Sequence, residues 1–127
     1  MLAQQGCGLV IVNGGGVLTF DEPGVRTLLS LQSGSLTGAF VADKVVGKAA
    51  ALLLVRGGAV EVYAELISEP ALKVFEKHHV VCIHGEMVKN IENRDRSGIC
   101  PMESAVLCTD DPAEAYEILI KKTGFGR

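Results

Sequence analysis

Apolar and polar positions alternate in short blocks along the chain. Residues 8–12 form an apolar run, Asn13-Gly14-Gly15-Gly16 is a strong turn signal, and 17–20 is apolar again, so the pattern predicts a β-hairpin. A glycine cluster after a strand raises the question of a dinucleotide fingerprint. Here the chain turns into a second strand rather than a helix, so the phosphate-cradling geometry is absent. Asp21-Glu22-Pro23 opens a short helix over about 23–32 that closes near Gly34, with acids and proline where a first turn favours them. A linker over 35–42 follows. From 43 to about 55 the chain is apolar almost all round, and the pattern predicts a helix buried on most sides. Gly47 and Ala51, four residues apart, let another backbone come close.

Residues 59–67, rich in Val, Ile and Tyr, predict a strand, and Glu69-Pro70 starts a helix through about 77. A further strand over 80–88 puts Cys82, His84 and Glu86 on one face by its period of two. A polar loop over 90–98 and a short helix over 101–108 come next. Asp111-Pro112-Ala113-Glu114 then opens the last helix, with Asp at the N-cap, Pro at N1 and Glu at N3; Lys121-Lys122 and Gly124 end it. The order β-β-α-α-β-α-β-α-α predicts an α/β fold of three layers, α-β-α, with a mixed sheet of four to five strands and helices on both faces. With no internal repeat and no linker composition, residues 1–127 read as a single domain.

Composition narrows the function classes. At 127 residues the chain is long enough to bury a core, and 48% hydrophobic with 21% charged residues is globular rather than disordered. A net charge of -3 argues against a nucleic-acid duplex as partner, and the absence of Trp argues against a base-stacking platform. The start of the sequence shows neither a basic leader nor a signal-peptide apolar stretch, and the apolar run 49–55 is too short to span a bilayer. The four cysteines, Cys7, Cys82, Cys100 and Cys108, form no C-x-x-C pair and read as thiols in a reducing compartment. A cytoplasmic protein without membrane contact is the expectation.

The stretch Val41-Ala42-Asp43-Lys44-Val45-Val46-Gly47-Lys48-Ala49-Ala50-Ala51, a strand, and then Ile67-Ser68-Glu69-Pro70-Ala71-Leu72-Lys73-Val74 resembles the helix–strand–helix heart of the cytidine-deaminase superfamily. In that family the first helix starts with His-Ala-Glu and the second with Pro-Cys-x-x-Cys. Thiolates and an imidazole hold Zn²⁺ with an open position, and the Glu shuttles protons for the bound water. Here Pro70 is kept, but Ala71 and Val74 stand at the cysteine positions and Ala42-Asp43-Lys44 near His-Ala-Glu. Neither Ala nor Val binds a metal, so the resemblance implies the fold without the zinc site, and no metal or cofactor is expected. An extra helix over about 23–32 departs from the enzymes. The block Ala42-Asp43-Lys44-Val45-Val46-Gly47-Lys48-Ala49, with Asn93-Arg94-Asp95-Arg96-Ser97-Gly98-Ile99-Cys100-Pro101-Met102-Glu103, is similar to a small uncharacterised family of bacterial and archaeal proteins assigned to this fold.

Candidate site residues follow from local chemistry. Asp43 reads as the N-cap of the buried helix, its carboxylate accepting from first-turn amides. Lys44 and Lys48 then share a helix face at the positive end of the dipole, where an ammonium is disfavoured unless it binds an anion or pairs elsewhere. Gly47-Lys48 is no P-loop, because it is followed by Ala and has no glycine five residues before Gly47. Cys100 sits before a helix start with Pro101 at N1 and Glu103 at N3, and Arg94 and Arg96 precede it; such surroundings lower a thiol pKa, whereas the plainer reading is a packed cysteine and half a capping box. Arg94 and Asp95 are polar loop residues beside that helix start, where ligands are often contacted. His78, His79, Cys82 and His84 fit no recurring zinc spacing, and His78-His79 reads as a helix end.

Three functions compete. The first is a small-molecule-binding domain for an anionic or nucleotide-like ligand, with Asp43, Lys44, Lys48, Arg94 and Asp95 in the site. The second is a metal-independent enzyme with Cys100 as nucleophile and Lys44 or Glu103 handling protons. The third is a structural module that assembles as a homo-oligomer.

Overall fold

A computed structural model describes residues 9–13, 16–20, 28, 36–89, 104–107 and 109–123. Its sheet is five-stranded and mixed, in the order β2-β1-β3-β4-β5: β1 (Leu9–Asn13), β2 (Gly16–Phe20), β3 (Phe40–Val46), β4 (Glu61–Ser68) and β5 (Val81–Val88). β1 and β2 form the expected hairpin pairing, with Asn13 opposite Gly16 and Leu9 opposite Phe20. β1 also runs antiparallel to β3, whereas β3, β4 and β5 are mutually parallel. Parallel neighbours need crossovers, which are supplied by α1 (Lys48–Gly57) and α2 (Glu69–Lys77); α3 (Pro112–Thr123) follows β5 further along the chain. The α/β fold with a mixed sheet is thus the one expected.

One expectation is corrected. Residues 43–46 belong to β3 and not to a helix, and α1 begins only at Lys48. The apolar run hides the boundary because a strand buried inside a sheet and a buried helix both read as continuous hydrophobics. β-branched Val41, Val45 and Val46 favour the strand, and Gly47, extended at φ -96 and ψ -178, ends it and caps α1 without a side-chain bond.

α1 is buried from Lys48 through Leu54 because it lies in the middle of the helical layer, against the sheet, α2 and α3. Leu9, Ile11, Val41, Val62 and Ala64 of the sheet join it in one core, together with Leu28, which is helical, and Val106. Its last turn is closed by Gly58 at φ +93, whose N–H bonds the Leu54 and Val55 carbonyls. A side chain there is strained by the left-handed backbone and meets Thr37 Oγ1 at 2.8 Å. α2 is capped by Ser68, whose hydroxyl accepts from the Ala71 amide at 3.2 Å, and it buries Ala71, Val74 and Phe75. α3 opens as expected, with Asp111 Oδ1 accepting from the Ala113 amide at 3.0 Å. It docks through Ala115 and Leu119, one turn apart, and Arg56 of α1 stacks 3.6 Å above the Tyr116 ring.

Strand alternation sends Val12, Phe40, Tyr63, Val81 and Ile83 to the opposite side of the sheet, where they are exposed. The expected helix over 23–32, apart from Leu28, and the loop over 90–98 lie outside the described residues. Of the expected helix over 101–108, Ser104 and Ala105 are helical.

Candidate functional site

Three parallel strands end at one edge, at Val46, Ser68 and Val88. After β3 and Gly47 comes Lys48, directly after β4 the first turn of α2, and directly after β5 Lys89. In open α/β sheets the crevice beyond the carboxyl ends of the strands is where ligands bind. An open cleft of about 460 Å³ lies there, lined by Lys48, Glu69, Pro70, Lys73, Val74, Lys77, Lys89 and Asp110. The i, i+4 spacing of α2 puts Glu69, Lys73 and Lys77 in one row along its wall. The volume falls within the range of small-molecule sites.

Lys48 is the anchor of the cleft. Its side chain is only 8% exposed, and Nζ donates to the Leu107 carbonyl at 3.0 Å and pairs with Asp110 Oδ1 at 3.1 Å. Lys77 Nζ reaches the other oxygen of Asp110 at 3.6 Å. The Lys48 hydrogen bond, then its charge, and more weakly Lys77 hold the Asp110 carboxyl below the usual carboxylate range. Asp110 is itself well exposed, so water screens much of this effect. His78 Nε2 donates to the Asp110 carbonyl at 3.3 Å and helps fix the segment entering α3. Four lysines therefore face two acids, one of which already bridges two of them. Among the described residues no ion pair engages Lys73 or Lys89. A cleft of this charge attracts anions, and the amides at the start of α2 add to the field.

Of the candidates named from sequence, Lys48 lines the cleft. Asp43 does not cap a helix: it is fully buried in β3, between Leu9 of β1 and Ala64 of β4, on the face that the helices cover. Neither of its carboxylate oxygens has a hydrogen-bond partner among the described residues. Burial pushes its pKa up to about 7, against a weaker downward pull from the nearby Lys44 and Val45 amides. Lys44, next along the strand, is half-buried and does not line the cleft. Arg94, Asp95, Cys100 and Glu103 lie outside the described residues. Lys73, Lys77, Lys89 and Asp110 escaped sequence reasoning because only the parallel strand order brings them together. Lys89, immediately after the predicted strand over 80–88, is the one local signal that hints at such an edge.

Among the described residues no three His, Cys, Asp or Glu side chains come together as a metal site. His84 Nδ1 donates to the Gly85 carbonyl at 3.0 Å, and burial pushes the Cys82 thiol up to about 11, away from a metal-binding thiolate. No helix among the described residues is long and apolar enough to cross a membrane.

The fold and the cleft define an α/β domain with a basic crevice at the carboxyl edge of a mixed sheet. The chain belongs to the family described as "Domain of unknown function (DUF1893)", TM1506, whose model matches residues 1–123. It is similar to the crystal structure, at 2.70 Å resolution, of a DUF1893 family protein (TM1506) from Thermotoga maritima. The identity is 29% over 95% of this chain and 84% of that one, with a TM-score of 0.86. Among curated proteins nothing matches.

Proposed function

We propose that this domain binds a small anionic ligand, of phosphate or nucleotide type, in the cleft at the carboxyl edge of the sheet. The observation that carries the proposal is the convergence of Lys48, Lys73, Lys77 and Lys89 on one open crevice beside the start of α2. Lys48 is held in place by Leu107 and Asp110, so one cation is positioned before any ligand arrives. Such preorganisation reduces the entropy lost on binding. Lys73 and Lys89 stand at the mouth as long flexible donors.

The frame is deaminase-like in our reading. Support comes from two helices that each follow a parallel strand and begin at the same edge, where that superfamily places its zinc ligands. The residues at those starts do not fit a zinc ion. Gly47, Lys48 and Ala49 open α1, and Pro70, Ala71 and Val74 lie at the start of α2. None of them is a metal donor, and an ammonium repels a cation. The same edge thus offers positive charge where a zinc enzyme would offer thiolates and imidazole, and we derive no zinc-dependent step.

Thermal unfolding in the presence of inorganic phosphate and of a nucleoside monophosphate tests the reading. A ligand at a hundred times its dissociation constant stabilises the fold by about 2.7 kcal/mol. The expected result is a rise in Tm for the wild type that is lost in Lys73→Glu/Lys89→Glu. No rise with either compound, or an equal rise in the double variant, would overturn the proposal.

A further inference from the structure

Thr109-Asp110-Asp111 leads into α3, and its backbone is tied down on several sides. The Asp110 carbonyl accepts from His78 Nε2 at 3.3 Å, and the Asp111 amide donates to Thr109 Oγ1 at 3.1 Å. Thr109 is itself buried, and its amide donates to the Val106 carbonyl. Asp111 in turn caps α3 through the Ala113 amide. The Asp110 side chain is held only by charge. It is 55% exposed, with Oδ1 at 3.1 Å from Lys48 Nζ and Oδ2 at 3.6 Å from Lys77 Nζ. Rotation about its side-chain bonds carries the carboxylate into water while the backbone stays in place.

We infer that Asp110 is a built-in competitor for the anion site: its carboxylate occupies the place that a ligand's phosphate takes between Lys48 and Lys77, and swings out when the ligand binds. The inference rests on the anion-binding reading of the cleft. Two carboxylate oxygens bridge the two ammonium groups as two oxygens of a phosphate would. Lys48 favours exchange over simple addition. An ammonium has three donors, and the Leu107 carbonyl and Asp110 each engage Lys48 Nζ, on a side chain only 8% exposed. The Leu107 carbonyl belongs to the backbone and stays, so an incoming anion reaches Lys48 by replacing Asp110. The tether gives Asp110 a high local concentration, which singly charged anions such as acetate do not overcome. A phosphate monoester, with up to about two negative charges near pH 7 and three acceptor oxygens, does. Asp110 thereby reserves the cleft for doubly charged anions.

Two measurements on the full chain test this. The first is calorimetric titration with inorganic phosphate at constant ionic strength, comparing wild type, Asp110→Asn and Glu69→Gln. Both substitutions remove one negative charge from the cleft, but among the described residues no ion pair engages Glu69. Exposed ion pairs are weak, so Asp110→Asn is expected to bind phosphate roughly three- to tenfold more tightly, and Glu69→Gln less than about twofold. The second is a crystal structure of the wild type with phosphate, expected to show the Asp110 carboxylate turned away from Lys48. Equal gains in the two variants, no gain in Asp110→Asn, or bound phosphate beside an intact Lys48–Asp110 pair overturns the inference and leaves the anion site standing. Binding by neither the wild type nor Asp110→Asn overturns both. Should Asp110→Asn fail to fold, the phosphate-bound structure decides alone.

Discussion

Asp43 makes the fold sensitive to pH in a way that one substitution can isolate. Its carboxyl is fully buried without a hydrogen-bond partner among the described residues, and burial moves its pKa from 3.8 to about 7. The folded protein thus holds this proton more tightly than the unfolded chain does, and stability depends on keeping it. Below about pH 4 the group is neutral in both states and its stability contribution is fully present. As pH rises through the folded value of about 7 that contribution is lost, at up to about 1.4 kcal/mol per pH unit and about 4 kcal/mol in all. Asp43→Asn keeps the shape of the protonated acid and removes the titration. Urea unfolding of both proteins between about pH 4 and pH 8 measures the difference, in which most other ionisations cancel. The variant is expected near the wild type at the acid end and several kcal/mol more stable at the alkaline end. A difference that does not change with pH would refute the reasoning, for it would mean that Asp43 is charged and paired in the folded protein.

Other substitutions test local steps of the same account. Lys48→Met is expected to destabilise by roughly 1–3 kcal/mol, read by urea unfolding, because the Leu107 carbonyl loses its donor. Gly58→Ala is expected to cost more than about 1 kcal/mol, since its φ of +93 and the contact with Thr37 both resist a Cβ. Ser68→Ala removes the cap of α2 and is expected to lower stability by about 1 kcal/mol, whereas Ser68→Asp is expected to retain most of it.

How far the chain discloses its own structure depends on the kind of signal. The hairpin, α2 and α3 were legible because glycine turns, proline at a first turn and Asp or Ser caps act over a few residues. β3 was not. Its run from Val41 continues into Ala49-Ala50-Ala51 broken only by Asp43-Lys44 and Gly47-Lys48, and Asp43 imitates a helix cap in a stretch that is buried strand. Lys48 was found by its place near a helix start, although the start lies five residues beyond Asp43. Lys73 and Lys77 of α2, Lys89 after β5 and Asp110 before α3 come from three separate parts of the chain, and nothing local in the sequence says that these parts share a cleft. Their meeting is a product of parallel pairing between β3, β4 and β5, a long-range property that periodicity does not encode.

The central claim is that the carboxyl edge of this sheet is an anion site. The most direct measurement is a ¹H–¹⁵N correlation spectrum of the full chain titrated with inorganic phosphate at constant ionic strength. The account predicts saturable shifts confined to the amides of Lys48, Glu69, Ala71 to Lys73, Lys77, Lys89 and Asp110, abolished in Lys73→Glu/Lys89→Glu. Shifts that never saturate, or that centre elsewhere on the fold, would contradict it.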